Sequence, residues 1–257
     1  MTYNRYDIKN KYNYRGRRVN ERTKLKTFFL FFMPVIIIAV VVLGILISYW
    51  AEVGLNTTQT GVATHDEVIV VDDETLLHVV NEHYPMDESY VPELVPFGSV
   101  QVSKLAFDDL DDMISDAASE DIVINVKIGY VSYADQAVLF EQTLSEVKKN
   151  NDYSEIKAES ETMKVCPEAG CSESQTGLLI RFSTNEEGNF EDTQAGKWLQ
   201  KYSVNFGFVL RYPEGEESNT GMTYAPDLYR YVGREHALNM RRYDMILEDY
   251  SYHISSR

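Results

Sequence analysis

Apolar residues recur along the chain in distinct rhythms, and each rhythm predicts a different element. Residues 28–50 (FFLFFMPVIIIAVVVLGILISYW) run for 23 positions without a charge. A helix of about 20 apolar residues crosses a bilayer core, so this run predicts one transmembrane helix. Pro34 lies near one end, where membrane helices tolerate it, and Tyr49 and Trp50 suit the interface. Between residues 104 and 119, Ala106, Leu110, Met113, Ile114 and Ala117 fall at helical spacing, with Asp108, Asp109, Asp111 and Asp112 around them. That pattern predicts an amphipathic helix with an acidic solvent face. Ile122, Ile124, Val126 and Ile128 then alternate with Asn125 and Lys127, as in a half-buried strand.

Gly129 ends that strand, and Ser132 can cap a second helix whose stripe is Tyr133, Ala137, Phe140, Leu144 and Val147. Residues 150–171 read as a long loop. Residues 177–183 (GLLIRFS) read as a strand, 193–204 as a helix with Trp198 and Leu199, and 206–212 as a strand stopped by Pro213. A short strand over 229–232 and a last helix over 234–247 complete the pattern. Helices come first and short strands mostly late. This order predicts α+β with a small antiparallel sheet and flanking helices rather than a βαβ repeat. Residues 51–66 are small, polar and aperiodic, which suggests a stalk.

Charge orients this layout. Residues 1–27 hold nine Lys or Arg against Asp7 and Glu21, a net +7, while the whole chain stands at −16. Residues 51–257 therefore carry −16 − 7 = −23. The positive-inside rule puts residues 1–27 in the cytoplasm and the acidic domain, residues 67–257, outside the cell membrane. A cleaved signal peptide would need a shorter apolar run and small residues at its end, and Tyr49-Trp50-Ala51-Glu52 is a poor site. An outer domain at −23 is a bad candidate for binding nucleic acid, because phosphates need Lys and Arg opposite them, so no nucleic-acid partner is expected. Cys166 and Cys171, the two cysteines, read as a disulfide pinning a short loop outside the membrane, with two free thiols as the alternative in a reducing habitat.

Five segments in order carry a family resemblance. They are 79–85 with 90–94 (VVNEHYP, YVPEL), 129–136 (GYVSYADQ), 172–178 (SESQTGL), 206–213 (FGFVLRYP) and 224–233 (YAPDLYRYVG). The third matches Ser-Glu-His-Gln-Thr-Gly-Leu at six of seven positions, and the last aligns with Tyr-Glu-Pro-Trp-His-Tyr-Arg-Tyr-Val-Gly. Together they resemble the VanY-type D-alanyl-D-alanine carboxypeptidases, zinc peptidases that trim D-alanine from peptidoglycan stem peptides. The resemblance covers residues 75–250 and implies the D,D-carboxypeptidase/hedgehog-like fold.

The same register exposes departures. The family's zinc ligands, His, Asp and His, fall on Ser174, Arg181 and Leu228. Its general-base Glu falls on Ala225, its cleft Arg on Val131, and the Trp beside the third ligand on Asp227. Catalytic zinc needs about three protein ligands and an open position. Neither Ser nor Leu replaces them, and Arg is a fixed cation. With Ala225 in place of a carboxylate, no obvious group takes a proton from an attacking water. The expectation is therefore a non-catalytic domain without cofactor, although the family would imply zinc. The five histidines (His65, His78, His83, His236 and His253) show no paired spacing that would rebuild a metal site. A serine nucleophile at Ser172 or Ser174 lacks a Gly-x-Ser-x-Gly elbow.

What the resemblance leaves is a cleft. Tyr130, Gln136, Ser172 and Thr176 stand where the family lines it, and purely structural roles are the rival for each. Arg181 would point into the former metal space. It either pairs with Asp227 or Glu173 as an internal lock, the favoured reading, or holds the carboxylate of a peptide end. The implied ligand is a peptidoglycan stem peptide, with a cell-wall or division protein as the other candidate partner. The inherited D,D-carboxypeptidase activity with an altered site is the enzyme alternative. A scaffold acting through the acidic helix is a third.

Overall fold

A computed structural model describes residues 73–256. The expected cytoplasmic tail, transmembrane helix and stalk (residues 1–66) lie outside the described residues. Among the described residues, no helix is long and apolar enough to cross a membrane.

The described chain begins with a short helix α1 (Asp73–Leu77) and a hairpin of β1 (Leu94–Phe97) and β2 (Val100–Ser103). Gly98 starts its two-residue turn at φ 59, a conformation that glycine reaches without a Cβ clash. The acidic amphipathic helix is α2 (Lys104–Ser119), capped by the Ser103 hydroxyl. Its buried positions are Ala106, Leu110, Met113 and Ala117, all of which belong to the stripe read from the sequence. Next come β3 (Asn125–Ile128) and α3 (Tyr133–Asn150), the latter capped by Ser132 as expected.

The segment expected to be a long loop contains a helix, α4 (Glu155–Met163), capped by Ser154. Its only buried residues are Ala158 and Thr162. So thin an apolar stripe gives little periodic signal, and the helix is held by contact with α3 around Phe140 and Leu144. Then follow β4 (Leu179–Ser183), α5 (Gln194–Tyr202), β5 (Phe208–Tyr212), α6 (Glu217–Thr220) and β6 (Ala225–Tyr231). The last expected helix, over 234–247, ends early: α7 (Arg234–Tyr243) stops where Asp244 adopts a left-handed φ of 52, and a further helix that the pattern did not predict, α8 (Leu247–Ser255), follows.

The fold is α+β, with two small antiparallel sheets rather than one: the hairpin, and a four-stranded sheet in the order β3-β4-β6-β5. The main core joins α2, α5 and the sheet through Val102, Leu110, Met113, Ile180, Phe182, Leu199, Phe208 and Tyr229. A second cluster (Val209, Val232, Met240, Leu247 and Tyr250) seats α7 and α8. Gly129 lies where β3 leaves the sheet toward the site. A Cβ there would meet the Gln101 carbonyl oxygen at 2.2 Å, and the next residue, Tyr130, donates its N–H to that same oxygen at 2.7 Å. Gly129→Ala is therefore expected to destabilise the fold by about 1 to 3 kcal/mol, measurable as a lower thermal midpoint; an unchanged midpoint would contradict this close approach.

Candidate functional site

Strands β4 and β6 pair antiparallel in a register that sets Arg181 directly opposite Leu228. Directly opposed residues share a sheet face with Cβ atoms about 5 Å apart, so these two side chains emerge together. A tight turn at Glu173–Thr176, capped by the Ser172 hydroxyl, brings Ser174 to the same place. Ser174, Arg181 and Leu228 all line one cavity of about 110 Å³, together with Val131, Gln136, Ser172, Cys166, Leu179 and Tyr212. Ser174, Arg181 and Leu228, up to 54 residues apart in sequence, thus converge on one small space.

The chemistry of that space is not that of a metal centre. Leu228 is buried in an apolar cluster with Leu179 and Tyr212, against which Met222 and Ala225 pack. The guanidinium of Arg181 faces Asp227 at 3.5 Å, Nη1 to Oδ2. Ser174 supplies one hydroxyl, while its backbone carbonyl accepts from the N–H groups of Val131 and Gly177. A cation, an isobutyl group and a hydroxyl do not fit a zinc ion, which needs His, Cys or carboxylate donors. Among the described residues, no group of three or more His, Cys, Asp or Glu is placed to hold a metal ion.

The other expected cleft residues divide. Gln136 is buried and lines the cavity; its amide donates to the Pro167 carbonyl at 2.6 Å and points at the Cys166 sulfur at 3.5 Å, which holds that loop. Ser172 lines the cavity, and its hydroxyl accepts from Ser174 N–H at 3.3 Å. Thr176 does not reach the cavity. Its hydroxyl is spent on the turn, donating to the Glu173 carbonyl at 2.7 Å and accepting from Leu178 N–H at 3.0 Å. Tyr130 also stands outside the cavity lining; burial first, then the charge of Asp135, pushes its hydroxyl above the usual tyrosine range. Cys166 and Cys171 are free thiols rather than the expected disulfide. They serve different spaces, with Cys166 on the small cavity and Cys171 on a wider groove.

Glu173 is not available to Arg181 either. It lies fully buried beneath the site in an ionic cluster that motif reading did not anticipate. Arg211 grips it with two hydrogen bonds of 2.9 Å, from Nε and Nη2, and also donates to Glu248. Nη1 of Arg230 lies 2.9 Å from the same carboxylate, a contact of charge without an aligned hydrogen bond. The rest of that guanidinium donates to the carbonyls of Leu76, His78 and Tyr231, tying the start of the described chain to the sheet. Burial by itself would raise the Glu173 pKa, but the two guanidiniums outweigh it and hold the carboxylate below its usual range. The sequence did carry a signal: Arg211 lies between Leu210 and Tyr212 in β5 and Arg230 between two tyrosines in β6, and a buried cation demands a buried acid.

The wider groove, of about 590 Å³, runs beside the small cavity and shares Pro167, Tyr212 and Met222 with it. A separate groove of about 560 Å³ between α1 and α8 includes none of the cavity residues.

Comparison with known proteins fixes the lineage. The sequence profile of VanY, D-alanyl-D-alanine carboxypeptidase, matches residues 99–234, just over half of the 257 residues. The chain belongs to the VanY family. It is 30% identical over 197 residues to the putative carboxypeptidase YodJ of Bacillus subtilis, covering 70% of this chain and 68% of that one. It is 30% identical over 198 residues to a D-alanyl-D-alanine carboxypeptidase of Enterococcus faecalis, covering 76% and 70%. Among solved structures, a mutant of the vancomycin-resistance D,D-pentapeptidase VanY, in complex with Zn(II), superposes with a TM-score of 0.64 at 27% identity, covering 69% of this chain and 99% of that one. VanYB in complex with D-alanine-D-alanine gives 0.63 at 28%, covering 68% and 96%. By name these relatives include carboxypeptidases and a D,D-pentapeptidase, and one of the solved structures carries Zn(II).

Proposed function

We propose that this VanY-family domain binds the end of a peptidoglycan stem peptide at the cell wall without cleaving it. The observation that carries the reading is the register pair Arg181–Leu228, with Leu228 in an apolar cluster and Arg181 facing Asp227. A guanidinium repels a divalent cation, and a leucine offers it no lone pair. Ala225, at the position the resemblance gives to the general base, is an apolar neighbour of Leu228 and cannot take a proton. The lining that remains (Gln136, Ser172, Ser174 and Arg181) is suited to hydrogen bonding and charge rather than to bond breaking. A relative that binds D-alanine-D-alanine supports the choice of ligand. The 23-residue apolar run at residues 28–50, with the basic residues before it, supports a single-pass anchor with a cytoplasmic N-terminus and this domain outside.

Scaffolding through the acidic helix is the weaker reading. Asp109 and Asp112 of α2 are already engaged by Arg234 at 2.6 and 2.9 Å, which leaves less of that face open to a basic partner such as a division protein. The test uses the purified chain. Bound zinc is expected at background by atomic absorption, and no D-alanine is expected on incubation with a pentapeptide stem, while the peptide binds saturably. Stoichiometric zinc or release of D-alanine would sink the proposal in favour of an active carboxypeptidase with an altered site.

A further inference from the structure

We propose that Arg181 is the recognition group for a free carboxylate, and that Asp227 is an internal acid which this ligand displaces. The inference rests on the binding reading above and names the chemistry of the ligand. Arg181 is the one charged residue lining the small cavity. Ser172, Ser174, Leu179 and Leu228 line the cavity with it. Among the described residues no carboxylate lines the cavity itself, and the acid that faces Arg181, Asp227, lies outside its lining; a carboxylate entering the cavity would meet this cation. A hydroxyl that accepts, as Ser172 does from Ser174 N–H, still has a proton to donate. The combination suits a carboxylate carried next to a small apolar group.

Size narrows the ligand further. The cavity is small, about 110 Å³. A carboxylate with a methyl beside it fits, and a whole peptide does not. The rest of a longer ligand has the wider groove to enter, across the shared rim of Pro167, Tyr212 and Met222.

The internal pair is built to exchange. Arg181 and Asp227 stand 3.5 Å apart, with side chains 32% and 24% exposed. Arg211 and Glu173, by contrast, meet at 2.9 Å in the interior. Charge-assisted hydrogen bonds run about 2.7 to 2.9 Å, so the outer pair is loose and reached by water, and giving it up costs little. An incoming carboxylate takes the bidentate fork that Asp227 occupies only in part.

Calorimetry on the full chain tests this with three probes: N-acetyl-D-alanyl-D-alanine, its C-terminal amide, and free D-alanine. The acid is expected to bind and the amide to bind at least about tenfold more weakly, since the amide forfeits the charged bidentate contact. Arg181→Gln should show the same loss, and Arg181→Lys an intermediate one. Asp227→Asn should bind the acid roughly two- to fivefold more tightly, the worth of a partly exposed ion pair. Binding of the dipeptide but not D-alanine assigns the site to a peptide end; equal binding assigns it to small free carboxylates. Equal affinity for acid and amide, no gain in Asp227→Asn, or no binding of any probe would overturn the inference. Should Arg181→Gln fail to fold by circular dichroism, the acid–amide comparison and Asp227→Asn still decide. Release of D-alanine from the dipeptide would count against the non-cleaving reading and leave the role of Arg181 to the affinity data.

Discussion

Glu173→Gln is expected to lower the stability of the folded domain by about 3 to 5 kcal/mol, the usual cost of removing one partner of a buried ion pair. The carboxylate is fully buried between Arg211 and Arg230, whose side chains are 2% and 0% exposed. A neutral amide leaves two buried guanidiniums without their shared charge. Arg211 keeps Glu248, but Arg230 keeps only backbone carbonyls. For a domain of this size, each kcal/mol shifts the thermal midpoint by about 2 to 4 °C, so the expected fall is on the order of 10 °C, read by calorimetry or circular dichroism. A variant melting with the wild type would show that the cluster contributes nothing net. The pH dependence follows with a definite sign. The folded-state pKa of Glu173 is depressed below 4.5, so its contribution is fully present above that unfolded value. It is lost as pH falls through the lower folded value. The wild-type protein should therefore lose stability steeply on acidification below about pH 4.5, and Glu173→Gln should show a flatter acid limb.

The second large effect concerns the converging positions themselves. Replacing Ser174→His, Arg181→Asp and Leu228→His together is expected to raise bound zinc from background to about one ion per chain, because three donors and an open position suffice for the metal. The register that opposes positions 181 and 228, and the cavity that both share with 174, supply the convergence. Removing Leu228 from its cluster with Leu179 and Tyr212 should cost roughly 2 kcal/mol or more in the metal-free variant. Zinc should then restore thermal stability, because it binds the folded state alone. A triple variant that folds but takes up no zinc would mean that the cavity has closed around its present side chains. Adding Ala225→Glu asks separately whether D-alanine release follows.

Much of the fold was legible because burial writes itself as periodicity. The stripe of α2 and the Ser132 cap of α3 were both readable, and the strands β4 and β5 came out near their observed bounds. Helix α4 was not, since only Ala158 and Thr162 on it are buried. The hairpin β1–β2 was missed as well: its strands are four residues long with Pro96 inside one of them, too short for an alternation to register. The early end of the helix expected over 234–247 turns on the left-handed Asp244, a backbone choice that no apolar pattern announces.

For the site, the sequence by itself determined which residue types stand at the positions that the resemblance gives to the zinc ligands and the base: Ser174, Arg181, Leu228 and Ala225. Identity is a local property and can be read one residue at a time. What only the tertiary structure decided is pairing. Asp227 and Glu173 were equal candidates to face Arg181, yet Glu173 is turned inward to Arg211 and Arg230 while Asp227 faces Arg181. The choice belongs to strand register and to the turn at Glu173–Thr176, which fix side-chain direction through contacts between residues far apart in sequence. Thr176 and Tyr130 fell outside the cavity for the same reason. A motif places a residue on the chain, and packing decides which way it points.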